Sequence, residues 1–330
     1  MIDTKIYHST AYNPWYNLAF EEYLLNQVKD DEIILYLWQN DNTVVIGRNQ
    51  NAWKECRCEL FEKEGGKIAR RLSGGGAVYH DLGNLNFTFI MGKDNYDLKR
   101  QLQVILEAVK DQDIEAEFSG RNDLIVNGKK FSGNAFYFGS ESAYHHGTIL
   151  VDTDFTKLVK YLQVSQEKIK SKGVDSVRSR VINLKELKPD LTIEDVKSSM
   201  AKSFKDIYGG EPQVEEVNTE EFADNKNLYE KYSSWEWRFG RTPDFDITFA
   251  KRFDWGDIEI GLTAKQGHVD KAMVYSDAME ADLIEDIAAV LVDIPFTMDN
   301  IIDSIDKINI EEDKEHIVED IKNWLQTKSV

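Results

Sequence analysis

Three consecutive glycines, Gly74, Gly75 and Gly76, stand between two runs of strand-forming residues, 67–72 and 77–80. Neither a helix nor a central strand runs through such a triplet: glycine loses the most backbone freedom on ordering and packs no side chain. The chain has to turn here, and the fold has to accept a bare backbone at that turn. Arg70 and Arg71 precede the triplet, and His80 and Asp81 follow it. Without Cβ atoms a ligand can come close to the N–H groups, and successive N–H groups in a turn form a concave anion site. Arginine adds a planar, permanently charged donor set suited to phosphate or carboxylate. A glycine-rich hairpin turn with surface arginines accounts for the same residues equally well.

The surrounding pattern is α+β. Residues 17–27 space Leu18, Phe20, Leu24 and Leu25 for an amphipathic helix, and 98–109 have the same period. Residues 33–38 are apolar throughout, as in a buried strand, and 43–46 form another strand closed by Gly47. Strands are expected at 67–72, 77–80 and 85–91 around the glycine loop. Asn127-Gly128 between 123–126 and 131–138 is a strong hairpin signal. Residues 148–151 continue the sheet. Helices are expected at 52–63, 154–171 and 191–208. Hairpin-connected strands with a few covering helices are not a βαβ repeat. Near Pro243 the pattern changes: strands at 247–253, 257–264 and 268–276 precede helices, including 315–325, which makes a separate small α+β module. Domain boundaries are expected at 1–244 and 245–330.

A chain of 330 residues has ample length for a sizeable core. Its 59 acidic and 40 basic residues give a net charge of -19, which argues against general nucleic-acid binding. A small anionic ligand is still compatible, because the basic residues are grouped: Lys67 with Arg70 and Arg71, Lys129 with Lys130, and Lys168, Lys170, Lys172, Arg178 and Arg180. No run approaches the roughly 18 apolar residues of a membrane span. The start, Met1-Ile2-Asp3-Thr4-Lys5, lacks a basic segment followed by an apolar one, so a cytoplasmic location and no membrane partner are expected. Cys56 and Cys58 are the only cysteines. Alternate positions make a poor disulfide, and a lone Cys-x-Cys is a weak metal signal. Two reduced cysteines on or near a helix surface are expected.

Several chemistries are excluded by motif. Gly128-Lys129-Lys130 lacks the upstream glycine and the hydroxyl of a phosphate loop. The dinucleotide Gly-x-Gly-x-x-Gly string is absent, and Ser73 is not in a Gly-x-Ser-x-Gly elbow. A second constellation runs from Gly120-Arg121-Asn122-Asp123 to Lys130-Phe131-Ser132-Gly133-Asn134-Ala135, with His145-His146-Gly147-Thr148 opening the next strand. The hairpin places Asp123 and Lys130 on adjacent strands, and Lys130 enters a stretch with little side-chain bulk where a ligand has room. A surface hairpin with a solvated lysine pair is the plain alternative. If a carboxylate and a nucleotide meet here, a lysine between them can orient both and offset the charge that grows during attack on the α-phosphate. Asp123 would then help to hold Mg²⁺.

Taken together, these strings resemble the lipoate–protein ligase A family in its two-domain form. The likeness begins at Tyr12-Asn13-Pro14-Trp15-Tyr16-Asn17-Leu18-Ala19 and Glu21-Glu22. It continues through residues 43–48, 53–56, the glycine run to Asn86-Phe87, 120–124, 130–135, 145–150 and 176–181, and reaches Ser234-Trp235-Glu236-Trp237. The resemblance implies a mixed-sheet catalytic domain of the biotin/lipoate ligase type, class II synthetase-like, with a small α+β C-terminal domain. It implies activation of lipoate by ATP to lipoyl-AMP, then transfer to a lysine of a carrier domain, either a glycine-cleavage H protein or a 2-oxoacid dehydrogenase acyltransferase subunit. Lys130 matches the catalytic lysine. ATP-binding positions fall on Arg71, Gly76, Ala77, Val78, Tyr79, Lys130 and Asp123. Lipoate-binding positions are expected at Lys130, Arg71, Ser73, Gly74, Gly75, His80, Leu18, Trp38 and His146, with Val45 and Val78 as further wall candidates. Cys56 matches a position with no chemical role. ATP and Mg²⁺ enter with the substrate, no tightly bound prosthetic group is expected, and a monomer is the default.

Two other readings share this pattern. An octanoyl- or lipoyl-transferase on the same fold forms an acyl-thioester on an active-site cysteine, yet no cysteine follows Cys58. A non-catalytic paralogue that binds lipoate or a carrier would not need Lys130, Arg71 and Asp123 together. Residues 168–180 either order over the adenylate or form a solvated basic surface.

Overall fold

The computed structural model describes residues 2–119, 123–163, 180–222, 224, 226–239, 246–265 and 267–328. Residues 120–122, 164–171, 176–179, Pro243 and all but Arg180 of the basic stretch at 168–180 lie outside them. Contacts divide the chain into two units. The first is Met1–Val45, Trp53–Arg70 and Ala77–Arg238; the second is Ile46–Ala52, Arg71–Gly76 and Phe239–Val330.

The first unit is built on an eight-stranded mixed sheet. Its strands are β1 (Asp3–Ser9), β2 (Glu32–Trp38), β6 (Asn84–Gly92), β7 (Glu117–Ser119), β8 (Asp123–Val126), β9 (Lys129–Phe138), β10 (Ser142–Leu150) and β11 (Gln213–Val217), in the order β11-β1-β2-β6-β10-β9-β8-β7. β1 runs parallel to β2 and β11, and the pairs from β2 through β7 are antiparallel. β3 (Thr43–Ile46), β4 (Lys67–Arg70) and β5 (Val78–His80) form a second sheet, ordered β4-β3-β5. The α+β class and the mixed sheet are as expected. The hairpin at Asn127-Gly128 is present, with φ of 51° and 74°, the positive values a type I′ turn requires.

Alternation gives the large sheet two unlike faces. Leu85, Phe87, Phe89 and Met91 of β6, with Ile33, Leu35 and Leu37 of β2, join the main core. Helices Leu98–Lys110 and Ile193–Tyr208 contribute Leu102, Ile105, Val196, Met200 and Phe204 to that core. The longer of these helices opens on a capping box between Thr192 and Asp195, which satisfies backbone N–H groups that have no partner within the helix. The opposite face carries Tyr36 and Trp38 of β2, Asn84, Asn86 and Thr88 of β6, and Tyr144, His146 and Thr148 of β10. Helix Pro14–Gln27 lies on this side, placing Glu21 against Thr88 and His146. Its start is set by Asn13, whose side chain accepts from the Trp15 N–H, and by proline in its first turn.

One irregularity decides where the lysine of β9 points. Leu124 pairs with Ser132, but the next residue, Ile125, pairs with Lys130. Phe131 is therefore an extra residue, a bulge that turns side-chain parity over. Strict alternation would put Lys130 on the face of Ser132 and Asn134, towards the core. The bulge instead buries Phe131 in the core and puts Lys130 on the face of Asp123 and Gly133.

Two expected helices differ, and so does the place of the cysteines. The helix at 52–63 is two short helices, Ala52–Glu55 and Cys58–Lys63, interrupted where Cys56 makes an isolated bridge to Leu162. The helix from 154 is described over Phe155–Tyr161. The cysteines are not on a helix surface: Cys56 and Cys58 are both buried. The Cys58 side chain and burial push the Cys56 thiol up, away from the thiolate form that redox and metal chemistry need.

The second unit has its own antiparallel sheet, β12 (Ile247–Arg252), β13 (Asp257–Lys265) and β14 (His268–Ser276), in sequence order. Helices Ala281–Val290, Met298–Ile305 and Glu315–Leu325 close a separate core with Ile260, Leu262, Ile287, Ile301, Ile321 and Leu325. Ile46–Ala52 and Arg71–Gly76 take their contacts with this unit.

Candidate functional site

On the first unit, Lys130 Nζ lies 2.6 Å from Asp123 Oδ1, with both side chains about one-third exposed. Gly133, opposite Asp123 in the ladder, makes room for it. A Cβ there would lie 2.7 Å from Lys130 Nζ and 2.8 Å from its Cε. The Lys130 backbone is pinned as well: its N–H donates to Arg180 O at 2.7 Å and its carbonyl accepts from Ile182 N–H at 2.9 Å. The lysine is thus a positioned cation on the sheet face rather than a free surface group.

Next to it, four strands place one row of residues across the face. Thr148 Oγ1 accepts from Gly133 N–H at 3.3 Å, Thr148 pairs with Asn86, and Asn86 pairs with Trp38. Asn84 Nδ2 donates to Asn86 Oδ1 at 2.9 Å. Both asparagines are buried, and Asn86 Nδ2 and Asn84 Oδ1 have no hydrogen-bond partner among the described residues. Exchanging O and N in both amides again leaves one donor group and one acceptor unpaired.

One step further along the strands, Trp38 Nε1–H donates to Thr88 Oγ1 at 3.1 Å, and Thr88 Oγ1–H donates to Glu21 Oε1 at 2.7 Å. His146 Nδ1 lies 2.9 Å from the same Glu21 oxygen, so the ring carries its proton on Nδ1. Tyr36 stacks beside Trp38 with ring centroids 5.7 Å apart. Leu18, Trp38, His80 and His146 are all buried, as is Val45, while Val78 is half-buried. His80 Nδ1 meets Asn40 Nδ2 at 3.2 Å, which makes Nδ1 the acceptor. His145, by contrast, faces the core between Gln101 Oε1 at 3.0 Å and Asn134 Oδ1 at 2.7 Å. Burial, with His146 nearby, pushes its imidazole down to about 3. A neutral ring donates from one nitrogen and accepts at the other, so one of these amides presents its NH₂.

The paired arginines have separate jobs. Arg70 belongs to the first unit, where its Nε donates to Trp237 O and its Nη2 to Arg238 O, both at 2.8 Å, while Trp237 Nε1 donates back to Arg70 O at 2.9 Å. It anchors the Trp235–Arg238 turn of helix to β4. Arg71 belongs to the second unit and shapes the glycine loop. Its Nε donates to Ser73 Oγ at 3.0 Å and its Nη2 to Gly74 O and Gly76 O at 2.7 and 2.8 Å. Gly75 sits at φ +88°, where other residues are strained. Its N–H donates to Ala278 O at 3.0 Å, so that donor does not face an anion in this structure. A Cβ on Gly74 would lie 2.4 Å from the same carbonyl, whereas one on Gly76 would meet nothing within 4 Å. Close backbone packing explains Gly74, and open space at Gly76 begins the run Gly76-Ala77-Val78-Tyr79. Asp81 is structural: its carboxylate accepts from Gly83 N–H at 2.9 Å and Asp154 N–H at 2.8 Å.

The sequence did not single out Glu21, Thr88, Asn84 or Asn86 as site groups. Their signal is weak but present, since polar residues alternating through an otherwise apolar strand mark one face as polar. Among the described residues no group of three or more His, Cys, Asp or Glu is arranged to hold a metal ion, and no helix is long and apolar enough to cross a membrane.

The chain matches two family models, the lipoyl protein ligase A/B catalytic domain over residues 13–205 and the bacterial lipoate protein ligase C-terminus over residues 242–325. It is 39% identical to the lipoate-protein ligase A of Psychrobacter cryohalolentis over 330 aligned positions, 97% of each chain. It is similar to the crystal structure of Plasmodium falciparum LipL1 in complex with lipoate, at a TM-score of 0.86 and 30% identity, covering 98% of this chain and 100% of that one. A lipoate-protein ligase A crystallised with ATP aligns at a TM-score of 0.64 and 26% identity, covering 72% of this chain and 99% of that one.

Proposed function

Because this chain belongs to the lipoate–protein ligase A family, we propose that it is an ATP-dependent ligase that activates lipoate as lipoyl-AMP and transfers the lipoyl group to a lysine of a carrier domain. The observation that carries this reading is Lys130, a cation held at 2.6 Å from Asp123 over the bare backbone of Gly133. Lipoate carboxylate and ATP repel each other, so bringing them together needs a fixed positive charge between them. In the first step a carboxylate oxygen attacks the α-phosphorus, a P–O bond forms, and pyrophosphate leaves with the electron pair. Lys130 touches both reactants and offsets the charge shared between them. In the second step the amine of a carrier lysine attacks the acyl carbon, AMP leaves, and the amide forms with loss of a proton.

The nucleotide is assigned to Arg71, the backbone of Gly76, Ala77, Val78 and Tyr79, Lys130 and Asp123. Lipoate is assigned to Lys130, Arg71, Ser73, Gly74, Gly75 and His80, with Leu18, Trp38 and His146 along its apolar chain. Mg²⁺ would take an oxygen of Asp123 and neutralise phosphate charge. A single carboxylate, about one-third exposed, suits an ion held mainly by phosphate oxygens and water. The domain assignment is 1–244 for catalysis and 245–330 for the accessory domain. The carriers are glycine-cleavage H protein or 2-oxoacid dehydrogenase acyltransferase subunits, and the enzyme is a cytoplasmic monomer.

Lipoate-dependent ATP–pyrophosphate exchange tests the reading. Exchange by the wild-type chain and its loss in Lys130→Ala, with the fold intact, is the expected outcome. Transfer of an acyl group without ATP, or unchanged exchange in that variant, would overturn it.

A further inference from the structure

We propose that Asn86 is a catalytic residue of the transfer step, donating a side-chain N–H to the acyl carbonyl oxygen of the bound adenylate. The proposal rests on the ligase reading above and names a group that reading does not use.

Three observations carry it. First, the Asn86 side chain is buried at 1% exposure, and its Nδ2 has no partner among the described residues. An unsatisfied buried donor carries its full desolvation cost, so a fold that keeps one there gains from a ligand that supplies an acceptor. Second, the Asn84–Asn86 amide pair leaves one NH₂ group without a partner among the described residues whichever way the two amides are turned, and in the arrangement of this structure, with Asn84 Nδ2 donating to Asn86 Oδ1 at 2.9 Å, that group is Asn86 Nδ2. Third, the register puts Asn86 between two chemically different groups. Thr148, beside it on β10, accepts from Gly133 N–H under Lys130, and Trp38 lies beside it on β2. Strands are about 4.8 Å apart. Gly133 and Asn86 are two strands, roughly 10 Å, apart, a span that the Lys130 side chain and a carboxyl group bridge: with one carboxyl oxygen at Lys130 and the apolar chain running to Trp38, the other oxygen, the acyl carbonyl of the adenylate, faces Asn86 and is an acceptor.

The two steps use this donor unequally. In adenylation the carboxylate loses charge, so an N–H donor at the oxygen that stays behind stabilises reactant more than product. In transfer the carrier amine forms a C–N bond to the acyl carbon, and the C=O electron pair moves onto oxygen. That pair returns as the C–O bond to AMP breaks and the ammonium gives up its proton. A positioned donor is strongest at that developing oxyanion, and removing one typically costs about 10²–10³-fold in rate.

The test uses the full chain with Asn86→Leu, which keeps volume and removes the donor, and Asn86→Asp, which keeps shape and offers only oxygens. Single-turnover transfer from lipoyl-AMP to a lipoyl carrier domain is compared with pyrophosphate exchange, and thermal unfolding reports the fold. The expected result is a fall of about 10²-fold in transfer for both variants, several times the fall in exchange, with cooperative unfolding retained. Equal losses in the two half-reactions, or a larger loss in exchange, would overturn the assignment. If Leu unfolds the chain, the Asp variant decides alone. Absence of exchange in the wild-type chain would instead overturn the ligase reading on which the proposal rests.

Discussion

At the scale of single residues, the two glycines beside Lys130 and in the glycine loop make opposite predictions. In Gly133→Ala the new Cβ meets the far end of a flexible side chain, Lys130 Nζ at 2.7 Å. The ammonium moves and the backbone does not, so pyrophosphate exchange should fall at least tenfold while the melting temperature stays within a few degrees. A melting temperature that drops with activity would show that Gly133 serves the fold instead. Gly74→Ala meets backbone, Ala278 O at 2.4 Å, which cannot swing away. Trp38 is buried and held by its indole N–H to Thr88. Trp38→Ala opens space where a large aromatic stood, and acids longer or bulkier than lipoate should become substrates, read as a falling KM for them. Unchanged selectivity would remove Trp38 from the acyl-chain wall. Lys130 and Trp38 stand out in the sequence by residue type and motif; Asn86 and Thr88 do not, because a polar residue in a strand announces a face and not its purpose.

At the scale of elements, the sequence located most strands and helices but not the irregularity that matters. The hairpin at Asn127-Gly128 was legible because φ is positive at both positions, a demand few residues meet. The bulge at Phe131 was not, since nothing in Lys-Lys-Phe-Ser-Gly says which residue is unpaired. It is settled by the partner strand, where Phe131 finds the core. The helix expected at 52–63 broke because Arg57 N–H turns to Tyr161 O at 3.0 Å and Cys56 bridges Leu162, long-range bonds that local propensity does not contain. Helix Ile193–Tyr208 depends on the Thr192 cap. Thr192→Ala should cost about 1 kcal/mol, measured as a lower denaturant midpoint with an unchanged slope. A cost near zero would mean that packing of Val196, Met200 and Phe204 alone sets the helix start.

At the scale of the whole molecule, the buried core histidine ties stability to pH. Folding holds the His145 ring down at about 3 against an ordinary 6.5, so between those values the unfolded chain binds the extra proton. Its stabilising share is complete above pH 6.5 and is lost as pH falls towards 3, at a slope of at most about 1.4 kcal/mol per pH unit. Burial lowers His8 in the same direction. Denaturant unfolding of the wild-type chain between pH 7 and 4 should show this decline, and His145→Phe should flatten it; parallel profiles would discard the assignment. By itself the sequence determined the α+β class, the glycine turn and the hairpin, because each rests on short-range pattern: alternation, period and backbone demands of glycine. The tertiary structure alone decided which face Lys130 occupies, that Arg70 anchors a helix while Arg71 shapes a loop, that the cysteines are buried, and that the Asn84–Asn86 pair on the polar face keeps a donor without a partner among the described residues. Those outcomes depend on register and burial, which residues far apart in the chain set together.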